Sequence, residues 1–499
     1  MVYWNDTKSF LNNLNKQFIY HWYAFGKNNF LLLLQGFSRR PIRLKMPKTI
    51  KLKKGFNLNL TGKPEGKIIE ISQSETFAIK PTDFVGIDRP KLLVKEGDNV
   101  KAGSALFYDK PFENVMYASP VSGEIVEIMR GEKRKVLEIK ILADKKVEFQ
   151  KFKSYTVSDI AGLSRELALE QMIASGVWPG IIQRPFGVVA NPADKPKAIF
   201  ISAFDSSPLA PDYAFMLQGK EQYFQAGLDI LKKLTSGSLH LNISGTAEVP
   251  QIFSQVNGVE LNKIFGQHPA GNVGVQIHHI DPINKGDMIW TTTPYFVAQI
   301  GQLFLEGIYD ASKLVALSGS SVKNPAYVKT YIGTQINKIL DTNIQSGKNR
   351  YISGNVLSGE AVAKDGYLGF YHNQITVIPE GDYEEFLGWI LPTTKKLSFH
   401  KAFGLLSFLN SKKEYSVDTN THGEQRAFVV SGDFEKVLPM DILPTYLFKA
   451  ILADDYDEME ALGIFEVIEE DVALCEFIDP SKNDLQVILR HGIDLVQHS

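Results

Sequence analysis

Residues 198–243, AIFISAFDSSPLAPDYAFMLQGKEQYFQAGLDILKKLTSGSLHLNI, decide the fold. Residues 198–203 are a short apolar run that ends in the loop FDSSPLAPD. From Glu221 to Leu234 apolar side chains recur at helical spacing, at Tyr223, Phe224, Leu228, Leu231 and Leu234, and residues 239–243 read as the next strand. Strand, helix, strand is the βαβ unit of a doubly wound sheet, so the fold class is α/β with a Rossmann-like domain over residues 149–305. Sheets of this kind often hold nucleotides on a glycine-rich phosphate loop. Neither G-x-G-x-x-G nor G-x-x-x-x-G-K-[ST] occurs here, and the nearest glycine-bearing stretch is SGVWPGIIQRPFG, residues 175–187. Bulky Trp178, Ile181, Ile182 and Pro179 stand where backbone amides would need close access to phosphate, which disfavours nucleotide binding.

Upstream, residues 46–148 are short β-type runs separated by Gly62, Gly66, Gly86, Gly97, Gly103, Gly123 and Gly131, the spacing of a small all-β unit. Its sharpest piece is LLVKEGDNVKAGSALFYDKPFENVMYASPVSGEIVEI, residues 92–128. Gly97 and Gly103 supply turns, and alternation around Val94, Val100, Leu106 and Phe107 fits half-buried strands. The piece resembles the barrel-sandwich fold of biotinyl and lipoyl carrier domains. Such carriers modify a lysine at a hairpin tip about ten residues before a serine-glycine turn. Counting back from Ser122 the slot falls on Phe112, with Lys110 two residues away. Phenylalanine cannot carry biotin or lipoate, so the fold is accepted and the swinging arm rejected.

Downstream of the βαβ unit, HPAGNVGVQIHHI (residues 268–280) places His278 and His279 side by side. On an alternating strand they point to opposite faces and cannot chelate one metal together, so one buried and one exposed histidine is the expectation. Either could hydrogen-bond a quinone carbonyl. Residues 306–398 read as a β-grasp (SLBB-like) domain: strands at 314–317, 327–331 and 350–354, a short helix at 333–340, and residues 356–359 continuing the sheet. Residues 399–499 form a helical C-terminal domain with acidic stretches at 453–461 and 466–473. The apolar string AFGLLSFL, residues 402–409, is a buried helix or a docking surface, burial being the default.

The 499 residues, 44% hydrophobic and 22% charged, suit several ordinary cores. One cysteine, Cys475, cannot close an internal disulfide or hold a zinc or iron-sulfur site alone, and it points to a reducing compartment. The formal charge of −2 is uneven: residues 1–45 carry seven basic groups against Asp6, leaving 47 basic and 55 acidic groups, a net −8, for the remainder. An acidic body argues against nucleic acid as a partner. Residues 1–45 hold no apolar run long enough to span a bilayer. They read either as an amphipathic membrane-surface segment or as a non-native or disordered leader ahead of Met46. The leader is preferred because the regular β pattern begins just after it.

Several strings agree in order: EGDNVKAGSALFYDK, SPVSGEIVEI, HPAGNVGVQIHHIDP, ISGNVLSG, GYLGFYHNQITVIPEGD, EFLGWILP, PMDILP and DVALCEFIDPSK. Together, from about Met46 to the C-terminus, they resemble the A-subunit family of the sodium-translocating NADH:quinone reductases. The resemblance implies a peripheral subunit of a six-subunit respiratory sodium pump, on the cytoplasmic face of the bacterial inner membrane. It implies a place beside the quinone-proximal membrane subunit. NADH, FAD, FMN and iron-sulfur centres are then expected on other subunits, with ubiquinone or menaquinone as the substrate of the complex. The layout is also similar to the flavin subunit of complex I, which binds FMN through a glycine-rich loop and a cluster through four cysteines. Here SGVWPGIIQRPFG replaces that loop, and Cys475 with Pro480 is the remaining trace of the cluster motif, Ile478 and Asp479 standing where cysteines are expected. The resemblance assigns no catalytic, cofactor or metal residue to this chain, and it singles out no quinone contact among His278, His279 and the aromatics. The competing reading is a soluble nucleotide- or flavin-dependent oxidoreductase using the doubly wound domain, which rests on the βαβ signal alone.

Overall fold

The computed structural model describes residues 48–499 apart from 72–73, 88, 387–392, 394–395, 401–412 and 499. The leader at 1–45 and the string at 402–409 lie outside the described residues. The chain divides into Met1–Met46 and Pro47–Ser499, and every described strand and helix belongs to the second unit.

The chain enters through β1 (Lys48–Lys51). A barrel-sandwich comes after it, built from β2 (Thr76–Ile79), β3 (Lys91–Leu92), β4 (Asn99–Val100), β5 (Ala105–Asp109), β6 (Phe112–Ala118), β7 (Gly123–Arg130) and β8 (Val136–Ala143). These strands form two antiparallel sheets, β2-β8-β7-β4 and β3-β5-β6, closed over Leu106, Phe107, Ile125, Ile139 and Ile141.

Two capped helices come next. The Thr156 side chain and Asp159 form a capping box on α1 (Val157–Gly162), and Ser164 accepts from Leu167 N at the start of α2 (Arg165–Ser175). Gly176, with φ at 89°, ends α2 in the left-handed conformation that favours glycine. The α/β domain continues through β9 (Ile182–Arg184), β10 (Val188–Val189), β11 (Ala198–Ser202), α3 (Tyr213–Met216), α4 (Glu221–Leu234), β12 (Ser238–Ser244), α5 (Gln251–Ser254), β13 (Glu260–Phe265), α6 (Val273–Ile280), β14 (Ile289–Thr292) and α7 (Pro294–Glu306). Its seven-stranded sheet has the order β1-β13-β12-β11-β14-β9-β10. Neighbours from β1 to β14 pair in parallel, and β9 and β10 add antiparallel. Residues 48–51, read from the sequence as the start of the small all-β unit, thus lie at the edge of the α/β sheet, with Lys48 in register with Asn262.

Helices α4 and α7 pack closely on one face. A Cβ on Gly227 would meet Val297 O at 1.9 Å, and one on Gly301 would meet Tyr223 O at 1.8 Å, so these two glycines set the interhelical approach. Along α4, Phe224, Leu228, Leu231 and Leu234 are buried, which is the apolar stripe the helical spacing predicts.

The third domain holds β15 (Ser312–Ser318), β16 (Ala326–Tyr331), α8 (Ile336–Leu340), β17 (Asn349–Ser353), β18 (Glu360–Val362) and β19 (Gln374–Pro379) in the order β16-β15-β19-β17-β18. Only β15 and β19 are parallel among its pairs. Residues 356–359 do not continue this sheet as expected. Asn355 Oδ1 accepts from Leu357 N and Ser358 N and curls them into a turn, so the next strand starts at Glu360. The C-terminal helices α9 (Phe434–Val437), α10 (Pro444–Leu452), α11 (Tyr456–Ala461), α12 (Glu469–Ile478) and α13 (Leu485–His498) enclose a separate apolar core that includes Phe434, Leu447, Leu474, Cys475 and Leu489. No described helix is long and apolar enough to cross a membrane.

Candidate functional site at the carboxyl edge of the sheet

Strand order reverses between β11 and β14: β12 and β13 lie on one side of β11, and β14 lies on the other. In open α/β sheets ligands bind outside the carboxyl ends of the strands at such a switch point. A cavity of about 450 Å³ opens there, floored by Ser202 and by Thr291, Thr292 and Thr293. All four domains wall it: Asp83 from the barrel-sandwich, Phe296 from α7, Tyr371 and His372 from the β-grasp domain, and Glu469, Glu470 and Arg490 from the C-terminal helices. The loop FDSSPLAPD divides it from a second groove of about 960 Å³, and Asp205 and Tyr213 border both.

Residues 175–187 are tightly packed, and Gly180, Ile182, Arg184 and Gly187 of this stretch border the cavity. Trp178 is fully buried, donates Nε1–H to Ala190 O at 2.7 Å, and meets Trp290 edge-on at 5.4 Å. A Cβ on Gly180 would sit 2.6 Å from the Phe296 ring, so that glycine serves packing.

The strongest electrostatic feature joins β9 to α12. Arg184, 1% exposed, donates Nη1 to Asp471 Oδ2 at 2.6 Å and Nη2 to Glu470 Oε1 at 2.5 Å. Arg490 on α13 grips Glu469 with two nitrogens and donates Nη1 to Phe186 O at 3.0 Å. Asn272 Nδ2 donates to Glu470 O at 2.8 Å. Gly274 is required beneath the pair, because a Cβ there would meet Asp471 Oδ2 at 2.3 Å. Burial raises the Glu470 carboxyl, and Asp471, Asp205 and Glu469 push it the same way against the pull of Arg184. Asp205 is raised by burial and offset only by hydrogen bonds from Ser207. His268, 3% exposed, is held near pKa 4 by burial, with Nδ1 3.1 Å from Ser206 Oγ.

The residues singled out in the sequence fall elsewhere. His278 and His279 are on helix α6, not on a strand, and both are half-buried. A short apolar run fits either element, and long-range packing selects the helix: Ile277 joins Ala198, Phe200 and Ile289 of β11 and β14, while Val275 joins the C-terminal core. Neither ring reaches the cavity: His278 Nδ1 meets Glu466 Oε2 at 2.6 Å and His279 Nε2 meets Pro439 O at 2.7 Å. The hairpin tip of the barrel-sandwich is Lys110-Pro111, closed by the pair Asp109–Phe112, so Phe112, the slot found by counting back from Ser122, opens β6 directly after the turn. Cys475 is buried on α12, where burial first and then Glu435 and Asp479 raise its thiol. Among the described residues no group of three or more His, Cys, Asp or Glu side chains is placed to hold a metal ion. Arg184, Asp205 and His268 lie in stretches the sequence singled out, residues 175–187, 204–212 and 268–280, but none was named as a site residue; the acidic run 469–471 was visible, but its partner lies 286 residues away.

Fold and cavity together define a multidomain α/β protein in which barrel-sandwich, β-grasp and helical units wall a switch-point cavity in a doubly wound sheet. Residues 50–144 match the NqrA N-terminal barrel-sandwich hybrid domain, 163–309 the NqrA second alpha/beta domain, and 314–364 the NQRA C-terminal domain. The chain belongs to the NqrA family, the A-subunits of the Na(+)-translocating NADH-quinone reductase. The A-subunit of Pasteurella multocida is 37% identical over 452 residues, which is 90% of this chain and 99% of that one. That of Yersinia pestis bv. Antiqua is 38% identical over 443 residues, 88% of this chain and 98% of that one. That of Alcanivorax borkumensis is 37% identical over 451 residues, with coverage of 90% and 99%.

Proposed function

We propose that this chain is a peripheral subunit that carries no redox centre, held on the cytoplasmic face of a bacterial inner membrane near the quinone-reducing end of the sodium pump. NADH oxidation, the flavins and the iron-sulfur centres then reside on the other subunits, and ubiquinone or menaquinone is reduced by the complex. The observation that carries the reading is the packing of the glycine-bearing stretch at 175–187, where Trp178 is fully buried and a Cβ on Gly180 would sit 2.6 Å from the Phe296 ring. Cys475, alone and buried, gives an iron-sulfur cluster a single thiol where several are required. The barrel-sandwich is read as a structural domain without an attached group, and an intact mass equal to that of the bare chain is expected. In the same reading any quinone contact on this chain uses groups other than His278, whose two ring nitrogens are both bonded within the chain.

Two measurements test this. The purified chain should show no visible absorption and no stoichiometric iron; flavin or iron at one per chain overturns the reading. Photoreactive quinone added to the whole complex should label this chain or its neighbouring membrane subunit. Label confined to the NADH-oxidising subunit would move the chain away from the quinone end.

A further inference from the structure

One edge of the seven-stranded sheet is basic. β1 is the outermost strand on its side, with β13 as its one neighbour among the described strands, and Lys48, Lys51, Lys53 and Lys54 are exposed along it and just past its end. Thr49 is in register with Lys263, so Lys263 projects from the same face as Lys51. Lys48 Nζ donates to His279 O at 3.1 Å, and Lys51 Nζ lies 6.0 Å from the centroid of the Phe265 ring. Among the described residues none of these five lysines forms an ion pair with a carboxylate.

The lysines stand in a stretch from which acids are withheld. Residues 48–64 hold five lysines and no acidic group, whereas residues 65–499 hold 42 basic groups against 55 acidic ones. Directly ahead in the chain come Arg39, Arg40, Arg43 and Lys45, so residues 39–54, RRPIRLKMPKTIKLKK, carry eight cations without an anion. One or two lysines are enough to keep an exposed edge strand from pairing with another copy. Lys53 and Lys54 lie beyond the strand, and the missing acids leave a positive field that a mixed surface would cancel. The shape of its partner follows from the rest of the chain. A nucleic acid tracking over the protein would meet the net charge of −13 carried by residues 65–499, whereas a flat anionic surface meets only the edge turned toward it, the remainder being screened beyond about 10 Å.

We propose that this edge docks on the anionic phospholipid headgroups of the membrane that holds the complex. The proposal rests on the reading of the chain as a peripheral subunit and names that subunit's lipid contact. The lysine stems reach past the edge and set their ammonium groups among the phosphates, each worth about fivefold in affinity near an anionic surface. Ile50 and Leu52, between the lysines, are half-buried, so the contact is electrostatic and sensitive to salt.

The test is flotation of the purified full chain with vesicles of phosphatidylcholine alone and of phosphatidylcholine with about one third phosphatidylglycerol. The chain should float with the anionic vesicles only, and about 0.5 M salt should release it. Lys51→Gln, Lys53→Gln and Lys54→Gln together should weaken binding about a hundredfold. Lys145→Gln, Lys146→Gln and Lys151→Gln together, three exposed lysines away from β1 in the sequence, should change it by less than about twofold. Three results overturn the proposal: no flotation with the anionic vesicles; equal flotation with the neutral ones; or, once circular dichroism shows both triple variants folded, a first variant that binds as the parent does or no more weakly than the second. A chain that co-purifies with its complex yet ignores the anionic vesicles removes the lipid contact and leaves the peripheral reading standing, its basic edge then serving an acidic protein neighbour. A chain that floats with those vesicles but is missing from the purified complex supports the lipid contact and sinks that reading instead.

Discussion

His278 Nδ1 lies 2.6 Å from Glu466 Oε2, while its Nε2 accepts the backbone N–H of Asp441 at 3.0 Å. Both ring nitrogens are thus spent on the C-terminal helical domain, and the side chain rivets α6 to it. His279 adds a second bond to Pro439 O, so the paired histidines are fasteners between domains.

Removing that rivet should loosen the helical domain. His278→Ala is expected to cost about 1–3 kcal/mol, since it strips a hydrogen bond from a largely buried carboxylate. His278→Gln, which can still donate and accept, should recover part of it. Urea denaturation gives the energy, and limited proteolysis should show faster cleavage within the C-terminal region of the alanine variant. Equal midpoints for all three proteins would refute the fastening role.

The contact between α4 and α7 leaves no room at Gly227. Gly227→Ala places a methyl 1.9 Å from Val297 O, and backbone cannot yield as a side chain can. A loss of about 3 kcal/mol or more is expected, against the usual small gain from replacing glycine in a helix. Thermal unfolding reads it; an unchanged or raised Tm means the helices can part.

Acid should weaken the protein through His268. Its folded pKa near 4 lies below the unfolded value of about 6.5, so between those pH values the unfolded chain binds more protons and stability falls as pH falls. By pH 5 the loss from this residue is ~2 kcal/mol. His372, also held near 4, adds to the same slope, so His268→Gln should flatten the pH dependence of the urea midpoint without abolishing it. A profile identical to that of the parent chain would count against burial of the neutral ring.

Cys475 should behave as a hidden hydrophobe. It is 0% exposed among Leu474, Leu489 and Phe448, and burial raises its thiol, so a thiol reagent should titrate nothing until the chain unfolds. Cys475→Ser should cost about 1–3 kcal/mol by burying a hydroxyl in an apolar site. Rapid labelling of the folded chain would place the thiol at the surface.

Arg184 is expected to be the least tolerant position at the cavity. Arg184→Met leaves Asp471, itself 1% exposed, without its cation, and stranding a buried charge costs about 3–5 kcal/mol. Adding Asp471→Asn and Glu470→Gln to that variant should restore much of the loss in a urea titration. No restoration would show that the guanidinium acts by packing.

What the sequence displayed was whatever is local. The helix at Glu221–Leu234 was readable to its ends because its apolar stripe and the flanking strands agree. Residues 275–279 read as a strand because Val275 and Ile277 alternate as a strand would, and only contacts with distant β11, β14 and the C-terminal core choose the helix. The cavity was least visible, since Arg184, Asp205, His268 and Glu470 come together through separations that no spacing rule records.

The edge strand β1 bears on how the chain is born. Lys48–Lys51 leave the ribosome roughly two hundred residues before Asn262–Phe265, the strand they must lie beside, while the whole barrel-sandwich emerges in between. The first described strand therefore waits for its neighbour as an unpaired ribbon studded with Lys48, Lys51, Lys53 and Lys54. Like charge on such a ribbon keeps nascent copies from zipping to one another until the proper neighbour arrives.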